Sequence, residues 1–280
     1  MPFLDFSSDN NSTLYFSARD GQGRSYLCCS PISIAAEQST FSDSSNTKVI
    51  LTPGKLGTFD DSGCTNSWLV RIDSDTQFLY YTGWSLGKTV PFYFGIGLAI
   101  SKDNGKTFHR YSDGPVIGQS ADEPYLAASP CVIRENGLWR MWYVSGSKWE
   151  EGANQPKHYY RIRYAESHNG VNWSLRHYCF EFADENEYAI AKPSVLKYAD
   201  GYIMWYCYRG SDYKIGVAFS TDGLTWQRKD ELSGITPGDF SWEQDSIAYP
   251  HVTETADKKL VMLYNGDNFG KTGIGLALAS

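Results

Sequence analysis

The chain has 280 residues and a formal net charge of −7, with 15% aromatic residues, Gly 26, Tyr 20 and Trp 9. The negative balance argues against nucleic acid and anionic membrane surfaces as partners, because both need a concentrated positive footprint. No apolar run approaches the ~18 residues of a spanning helix, and the first residues lack the basic and apolar segments of a secretory leader, so a cytoplasmic location and no membrane partner are expected.

Aromatic residues suit a pleated, half-buried surface and glycines suit turns between short strands, so the composition is that of a β protein. In chain order, the first run of strand length is 14–17, followed by 25–29. Residues 67–70 lead into a second aromatic run at 78–84 and a small/apolar alternation at 95–101. The same order returns at 130–133, 140–146 and 162–167, then at 193–196, 202–207 and 215–220, and last at 250–252, 260–266 and 274–279. The aromatic runs recur every ~60 residues, the signature of a repeat architecture.

Three third strands are followed by Ser, then Asp or Asn, then Gly, then Phe or Trp, at 101–108, 167–173 and 220–226. The Asp/Asn and Gly supply the positive φ of a hairpin turn, and the aromatic ring closes it. Pro130, Pro193 and Pro250 head the strands that open their copies, where no ladder donor is needed. The expected fold is therefore all-β: one domain over 1–280, a five-bladed β-propeller with four-stranded antiparallel blades and the Pro-headed strands innermost. The last copy ends after its third strand, so the ring is expected to close by pooling N- and C-terminal strands, which also removes exposed edges. Cys28, Cys29, Cys64, Cys131, Cys179 and Cys207 form no CxxC pair, and are read as reduced structural thiols rather than a zinc site or disulfide framework.

Acidic residues cluster before four inner strands: Asp60 and Asp61, Asp122 and Glu123, Glu185 and Glu187, Glu243 and Asp245. If these loops share one mouth of the axial channel, their carboxylates form a ring. Closely held, partly desolvated carboxylates have pKa values pushed apart, giving the proton donor and acceptor that glycosidic-bond cleavage requires. The plainer reading is that each acid caps a turn and pairs with a nearby Lys or Arg.

The Pro-headed inner strand, the Met-Trp-Tyr strand at 141–143, the Tyr-Ala-Glu-Ser strand at 164–167 and the Asp/Asn-Gly-x-x-Trp turns together resemble the five-bladed propeller glycosidases. These are glycoside hydrolase families 43, 32, 68 and 130, with their uncharacterised relatives linked to bacterial polysaccharide gene clusters. The turn at 101–108 is similar to the Asp box of sialidases, a structural motif. Carried over blade by blade, the resemblance implies Asp61 as base with Asp60 as competitor, Asp122 as the orienting neighbour and Glu187 as acid, in an inverting hydrolase, with Asp245 a further acid of the same ring. The Trp-Met-Asn-Asp-Pro-Asn-Gly, Arg-Asp-Pro and Glu-Cys-Pro motifs are absent, which argues against fructosidase chemistry, and no phosphorylase signature is clear.

For a carbohydrate partner, Trp84 and Trp149 offer rings for stacking, and Arg19, Asp20, Arg209 and Asn265 offer hydrogen bonds at equivalent strand ends. Lys192 and His251 sit beside inner-strand prolines, each also readable as a satisfied core residue. No cofactor is expected; a Ca²⁺ in the channel has no EF-hand-like spacing to support it. Two alternatives remain open: glycosyl transfer or sugar-nucleotide processing with the same acids, and a non-catalytic carbohydrate-binding propeller. The oligomeric state is left undetermined.

Overall fold

A computed structural model describes residues 1–6, 12–35, 38–41, 46–153, 155–238, 240–255 and 257–279. The strands fall into five successive antiparallel groups. The first holds β1 (Phe3–Phe6), β2 (Ser12–Arg19) and β3 (Ser25–Ala35), with β4 (Gln38–Phe41) and β5 (Lys48–Leu51) both paired to β3. The second is β6 (Gly63–Arg71), β7 (Gln77–Leu86), β8 (Phe92–Ser101) and β9 (His109–Arg110). The third is β10 (Ala127–Glu135), β11 (Leu138–Glu150), β12 (Lys157–Ser167) and β13 (Ser174–Tyr178). The fourth is β14 (Ala189–Tyr198), β15 (Gly201–Arg209), β16 (Tyr213–Ser220) and β17 (Gln227–Arg228). The fifth has β18 (Ala248–Glu254), β19 (Leu260–Asn265) and β20 (Ile274–Leu278).

The second strand of each group is the aromatic run of the sequence, and it is sealed on both faces: Tyr80, Tyr81, Trp142, Tyr143 and Tyr206 are fully buried. Room for those rings comes from the strand alongside. Gly97 lies across from Tyr81, Gly216 across from Tyr206 and Gly275 across from Tyr264. A Cβ on Gly97 would fall 2.3 Å from the Tyr81 ring.

Neighbouring groups are latched by the same side chains. The Tyr80 hydroxyl donates to Gly170 O at 2.6 Å, and Trp142 Nε1 donates to Gly223 O at 2.9 Å. Both acceptors sit in the Ser-Asp/Asn-Gly turns, whose own geometry is fixed by Ser167 and Ser220 Oγ accepting from the Gly170 and Gly223 amides. Among the inner strands, Trp68 Nε1 of β6 donates to Val132 O of β10 at 2.8 Å, and Val252 N of β18 donates to Ser194 Oγ of β14 at 2.9 Å. β10 packs on β14, and β1 on both β6 and β18.

The termini differ from expectation. β1 pairs with β2 inside the first group, and β20 pairs, among the described residues, only with β19. Among the described residues, β1 and β20 therefore belong to different sheets. The first and last groups meet through side chains instead: Leu4, Leu14 and Ile32 pack with Val261 and Leu263, and His251 Nε2 lies 3.0 Å from Leu4 O. Among the described residues, no helix is long and apolar enough to cross a membrane.

The glycine opposite Tyr81 gives a direct check. Gly97→Ala should cost ~1–3 kcal/mol by overpacking, seen as a lower thermal midpoint. Gly114→Ala, whose Cβ would meet nothing within 4 Å, should melt like wild type. Equal midpoints would show that the ring does not need the gap.

Candidate functional site

The loops before the inner strands carry a repeated lock. In the second group Asp60, 1% exposed, accepts from Tyr81 Oη at 2.9 Å and pairs with Arg110 Nε at 2.8 Å. In the third, Glu123 accepts from Tyr143 Oη at 2.7 Å and lies 3.3 Å from Arg163 Nη1. In the fourth, Arg228 forks onto Glu187 at 2.8 and 3.0 Å and also grips Asp230, which accepts from Tyr206 Oη. Arg110 and Arg228 come from the outer strands β9 and β17. Arg163 comes from β12, where it stands across from Tyr143 in the place taken by glycine in the second, fourth and fifth groups. Desolvation pushes the Glu123 carboxyl up, against the opposing pull of its hydrogen bonds and of Arg163.

This lock revises the expected site. Asp60 and Glu187 are buried and committed to an arginine of their own sheet, because a carboxylate taken out of water needs a fixed counter-charge and hydrogen bonds. Asp61 turns back onto its own loop, accepting from Gly57 N and Ser62 Oγ at 3.0 Å each. Asp122 is exposed, and Asp245 is exposed beside β18. The hydrogen bonds and ion pairs of Asp60, Asp61 and Glu187 all stay within their own groups, so these acids share no partner. Glu243 takes the corresponding place in the fifth group, 1% exposed, with Oε2 unpartnered.

A different assembly occupies the end of the sheets where the aromatic strands finish and the inner strands begin. The pairings Arg19 with Ser25, Trp84 with Phe94, Trp149 with His158, Arg209 with Tyr213 and Asn265 with Ile274 all lie at that end. An aromatic ladder crosses the groups there. Phe94 stacks on Phe92 at 4.4 Å, Phe92 meets Trp149 at 5.5 Å, Trp149 meets His158 at 4.9 Å and His158 stacks on Tyr160 at 5.0 Å. The Tyr160 and Tyr213 hydroxyls are hydrogen bonded, and Tyr213 reaches Tyr249 and Phe269. Desolvation, with the Arg209 charge second, lowers His158 to about 4, so the imidazole is neutral.

The ladder ends at a cleft of about 140 Å³ between the fourth and fifth groups, lined by Arg209, Asp212, Tyr213, Asp245 and Phe269 among others. Its fifth-group wall is held by Asp267, which accepts from the amides of Gln244, Asp245 and Ser246 at 3.0, 3.0 and 2.7 Å. Desolvation pushes the Asp267 carboxyl up, but those amides outweigh it and hold it below the usual range. Asn268 and Phe269 both have positive φ, and Asn265 Nδ2 donates to Phe269 O at 2.9 Å. A larger hollow, about 490 Å³, lies at the opposite end of the fourth group, around Tyr202 and Trp226.

Below the mouth, each of β6, β10, β14 and β18 carries a bulge, and three place a non-glycine residue with positive φ just before the proline: Ser129, Lys192 and Tyr249. Lys192 is 1% exposed and its Nζ has no hydrogen-bond partner among the described residues; it lies 5.6 Å from the Trp68 ring. Desolvation lowers it to about 8. His251 packs against Phe3 and Trp68, with Nδ1 unpartnered, and desolvation, then the Lys192 charge, lowers it to about 3. Among the remaining candidates, Asp20 caps its own turn and holds Arg24 and Tyr26, while Arg19 lies over the Trp84 ring at 5.5 Å. Among the described residues no three His, Cys, Asp or Glu side chains group as metal ligands.

The chain is 40% identical to the uncharacterized protein Rv1502 of Mycobacterium tuberculosis over 279 residues, covering 99% of this chain and 91% of that one. A second strain's counterpart, MT1551, matches to the same extent. The chain belongs to the family of these two mycobacterial proteins. No protein-family model matches it. Among solved structures, a glycoside hydrolase superposes with a TM-score of 0.76 at 15% identity, covering 100% of this chain and 86% of that one. A structure from the GH130 family of mannoside phosphorylases, described as containing glycoside hydrolases that target β-1,2 mannosidic linkages in Candida mannan, superposes at 0.70 with 14% identity, covering 100% and 83%. At such identities the likeness shows the fold: a mostly β chain of the propeller-glycosidase kind.

Sequence reasoning passed over Glu123 as an anchor and all three lock arginines. A signal existed for two of them, since Phe108-His-Arg110 and Trp226-Gln-Arg228 repeat the same spacing after the turn. The cleft residues Asp212, Tyr213 and Phe269 lie in segments that do not repeat, and carried no such signal.

Two outcomes follow for the charges. Arg228→Met leaves Glu187 buried without its fork and should cost about 3–5 kcal/mol, measured by chemical denaturation, while Lys55→Met at the exposed Lys55–Asp113 pair should change nothing measurable. Equal, small losses would mean that the lock is not a stabilising element. For Lys192 the folded pKa lies below the free-lysine value, so the folded state holds fewer protons and stability rises as pH climbs from about 8 toward 10.5. Lys192→Met should therefore stabilise the protein at pH 7, on the order of 2–3 kcal/mol, with the gain fading across that window. A gain independent of pH would place the charge elsewhere.

Proposed function

We propose that the five groups are the blades of one five-bladed propeller, closed by packing of the first blade on the last, and that its mouth binds a carbohydrate and cleaves a glycosidic bond. The observation that carries this reading is the aromatic ladder running into a cleft with arginine and carboxylate walls. Apolar ring faces with a few convergent polar groups suit a ligand that is apolar on its ring faces and polar at its rim. The glycoside-hydrolase likeness of the fold supports the same substrate class.

Within this reading the catalytic work moves from Asp60 and Glu187 to carboxylates that no arginine holds. Asp245, its backbone fixed by Asp267, and Asp212 face one cleft. One serves as general acid and the other as the base that activates water. Asp61 and Asp122 contribute no shared contact to this cleft. The six free cysteines accord with a cytoplasmic setting.

A second reading, carbohydrate binding without turnover, draws on two specific observations. Three of the acids before the inner strands are arginine-locked, and the inner-strand bulges carry Ser129, Lys192 and Tyr249 rather than acids.

A panel of oligosaccharides assayed for both binding and release of reducing ends separates them. Hydrolysis that falls at least about a hundredfold in Asp245→Asn, with affinity kept within a few-fold, supports the enzymatic reading. Undiminished turnover in Asp245→Asn removes that residue from the role. Binding with no turnover of any member supports the second reading.

A further inference from the structure

Most arginines of the described chain spend their charge on a carboxylate, as Arg110, Arg163 and Arg228 do in the locks and Arg71, Arg140, Arg161 and Arg176 do elsewhere. Arg209 does not. It is half-buried at the end of β15, has no ion pair among the described residues, and its Nε is buried without a hydrogen-bond partner. Arg19 and Arg134 also lack a carboxylate, but both are exposed to water, where bare charge costs little.

The guanidinium of Arg209 is fixed by rings rather than by an acid. Its Cζ lies 4.7 Å from the Tyr213 centroid, 5.0 Å from Tyr188 and 5.8 Å from Phe269. Stacking of this kind orients the plane while leaving the donor edge unspent, and Arg209 lines the cleft. A planar fork of donors held rigid, partly out of water and facing a cavity matches an incoming planar oxyanion.

Resting on the carbohydrate reading above, we propose that Arg209 is a specificity residue that grips the carboxylate of an acidic sugar, so that the ligand is a uronic-acid-bearing glycan. Asp212 and Asp245 line the same cleft. Whichever of the two serves as the ionised base opposes a doubly charged phosphate more strongly than a singly charged carboxylate, and their oxygens accept from sugar hydroxyls. The uronate carboxylate meets the fork while its ring lies along Tyr213 and Phe269.

The test is calorimetric titration of the full chain with oligosaccharides ending in glucuronic or galacturonic acid, their neutral glucose and galactose counterparts, and the corresponding sugar 6-phosphates. The expected result is at least about tenfold tighter binding of the uronates than of the neutral series, the scale of one charged hydrogen-bonded pair. Arg209→Gln should erase that preference, bringing uronate affinity down to that of the neutral series in the same variant, and Arg209→Lys should restore part of it. The wild-type comparison stands even if a variant folds poorly. Tighter binding of the 6-phosphates than of the uronates overturns the carboxylate assignment. Neutral glycans bound equally well, or a preference intact in Arg209→Gln, overturn the role of Arg209 and leave carbohydrate binding standing. Absence of binding to every series overturns both.

Discussion

The constraint on which the architecture depends is the buried carboxylate gripped by a tyrosine and an arginine of its own sheet. Each lock ties the loop that precedes an inner strand to a more peripheral strand of its group; in the second and third groups the acid also accepts from the aromatic strand's tyrosine, and in the fourth Tyr206 is joined through Asp230. Asp60, for example, joins the 52–62 loop to Tyr81 of β7 and Arg110 of β9. β9 and β17 are two residues long, too short for ladder hydrogen bonds alone to hold them. Their arginines anchor them from within. In the second and fourth groups glycine faces the tyrosine on the next strand and leaves room for its ring, so glycine, tyrosine, acid and arginine act there as one unit. The third group shows the logic by exception: Arg163 occupies the glycine place and supplies the charge itself, and the outer strand β13 then spends its Arg176 on Glu166 instead.

Burying a carboxylate against an arginine gives it a fixed hydrogen-bonded partner inside its own group and turns fewer of its oxygens toward solvent. The repeat is broken between the fourth and fifth groups, where the cleft lies. There the loop at 266–273 folds over with two consecutive residues at positive φ, and Asp267 nests the amides that carry Asp245. Backbone strain of this kind persists only where surrounding contacts over-determine it, and such places concentrate at ligand sites.

The same division explains how much could be read from the sequence. The order of strands was legible because a buried aromatic run, a glycine-bearing partner and an Asp/Asn-Gly turn recur at a near-constant interval, and each leaves a mark in one dimension. The position of Arg19, Trp84, Trp149, Arg209 and Asn265 at corresponding strand ends followed from that register. The partners of the acids did not. Arg110 and Arg228 lie 50 and 41 residues from the carboxylates they hold, and acid clusters look alike whether they line a cavity or are locked inside a sheet. The strand ends of the chain misled for a related reason: a missing outer strand suggested sharing, whereas the first and last groups are joined by aliphatic packing around Leu4 and Leu263.

The inner-strand bulges carry this argument to the axis. A bulge before proline puts one residue of β10, β14 and β18 into the left-handed region at the same level, whatever its side chain: Ser129, Lys192 and Tyr249 all take it. Ser129 N is met by Thr82 Oγ1 at 2.8 Å, and Tyr249 joins the aromatic ladder through Tyr213. Lys192 Nζ has no hydrogen-bond partner among the described residues and lies 5.6 Å from the Trp68 ring. In a protein that bears a net charge of −7, Lys192 is thus buried, and Arg209 half-buried, without an ion pair among the described residues. Burial without a counter-ion costs stability, and local packing gives Lys192 no return for it. Arg209 differs in that the rings of Tyr213, Tyr188 and Phe269 stack on its guanidinium and offset part of that cost.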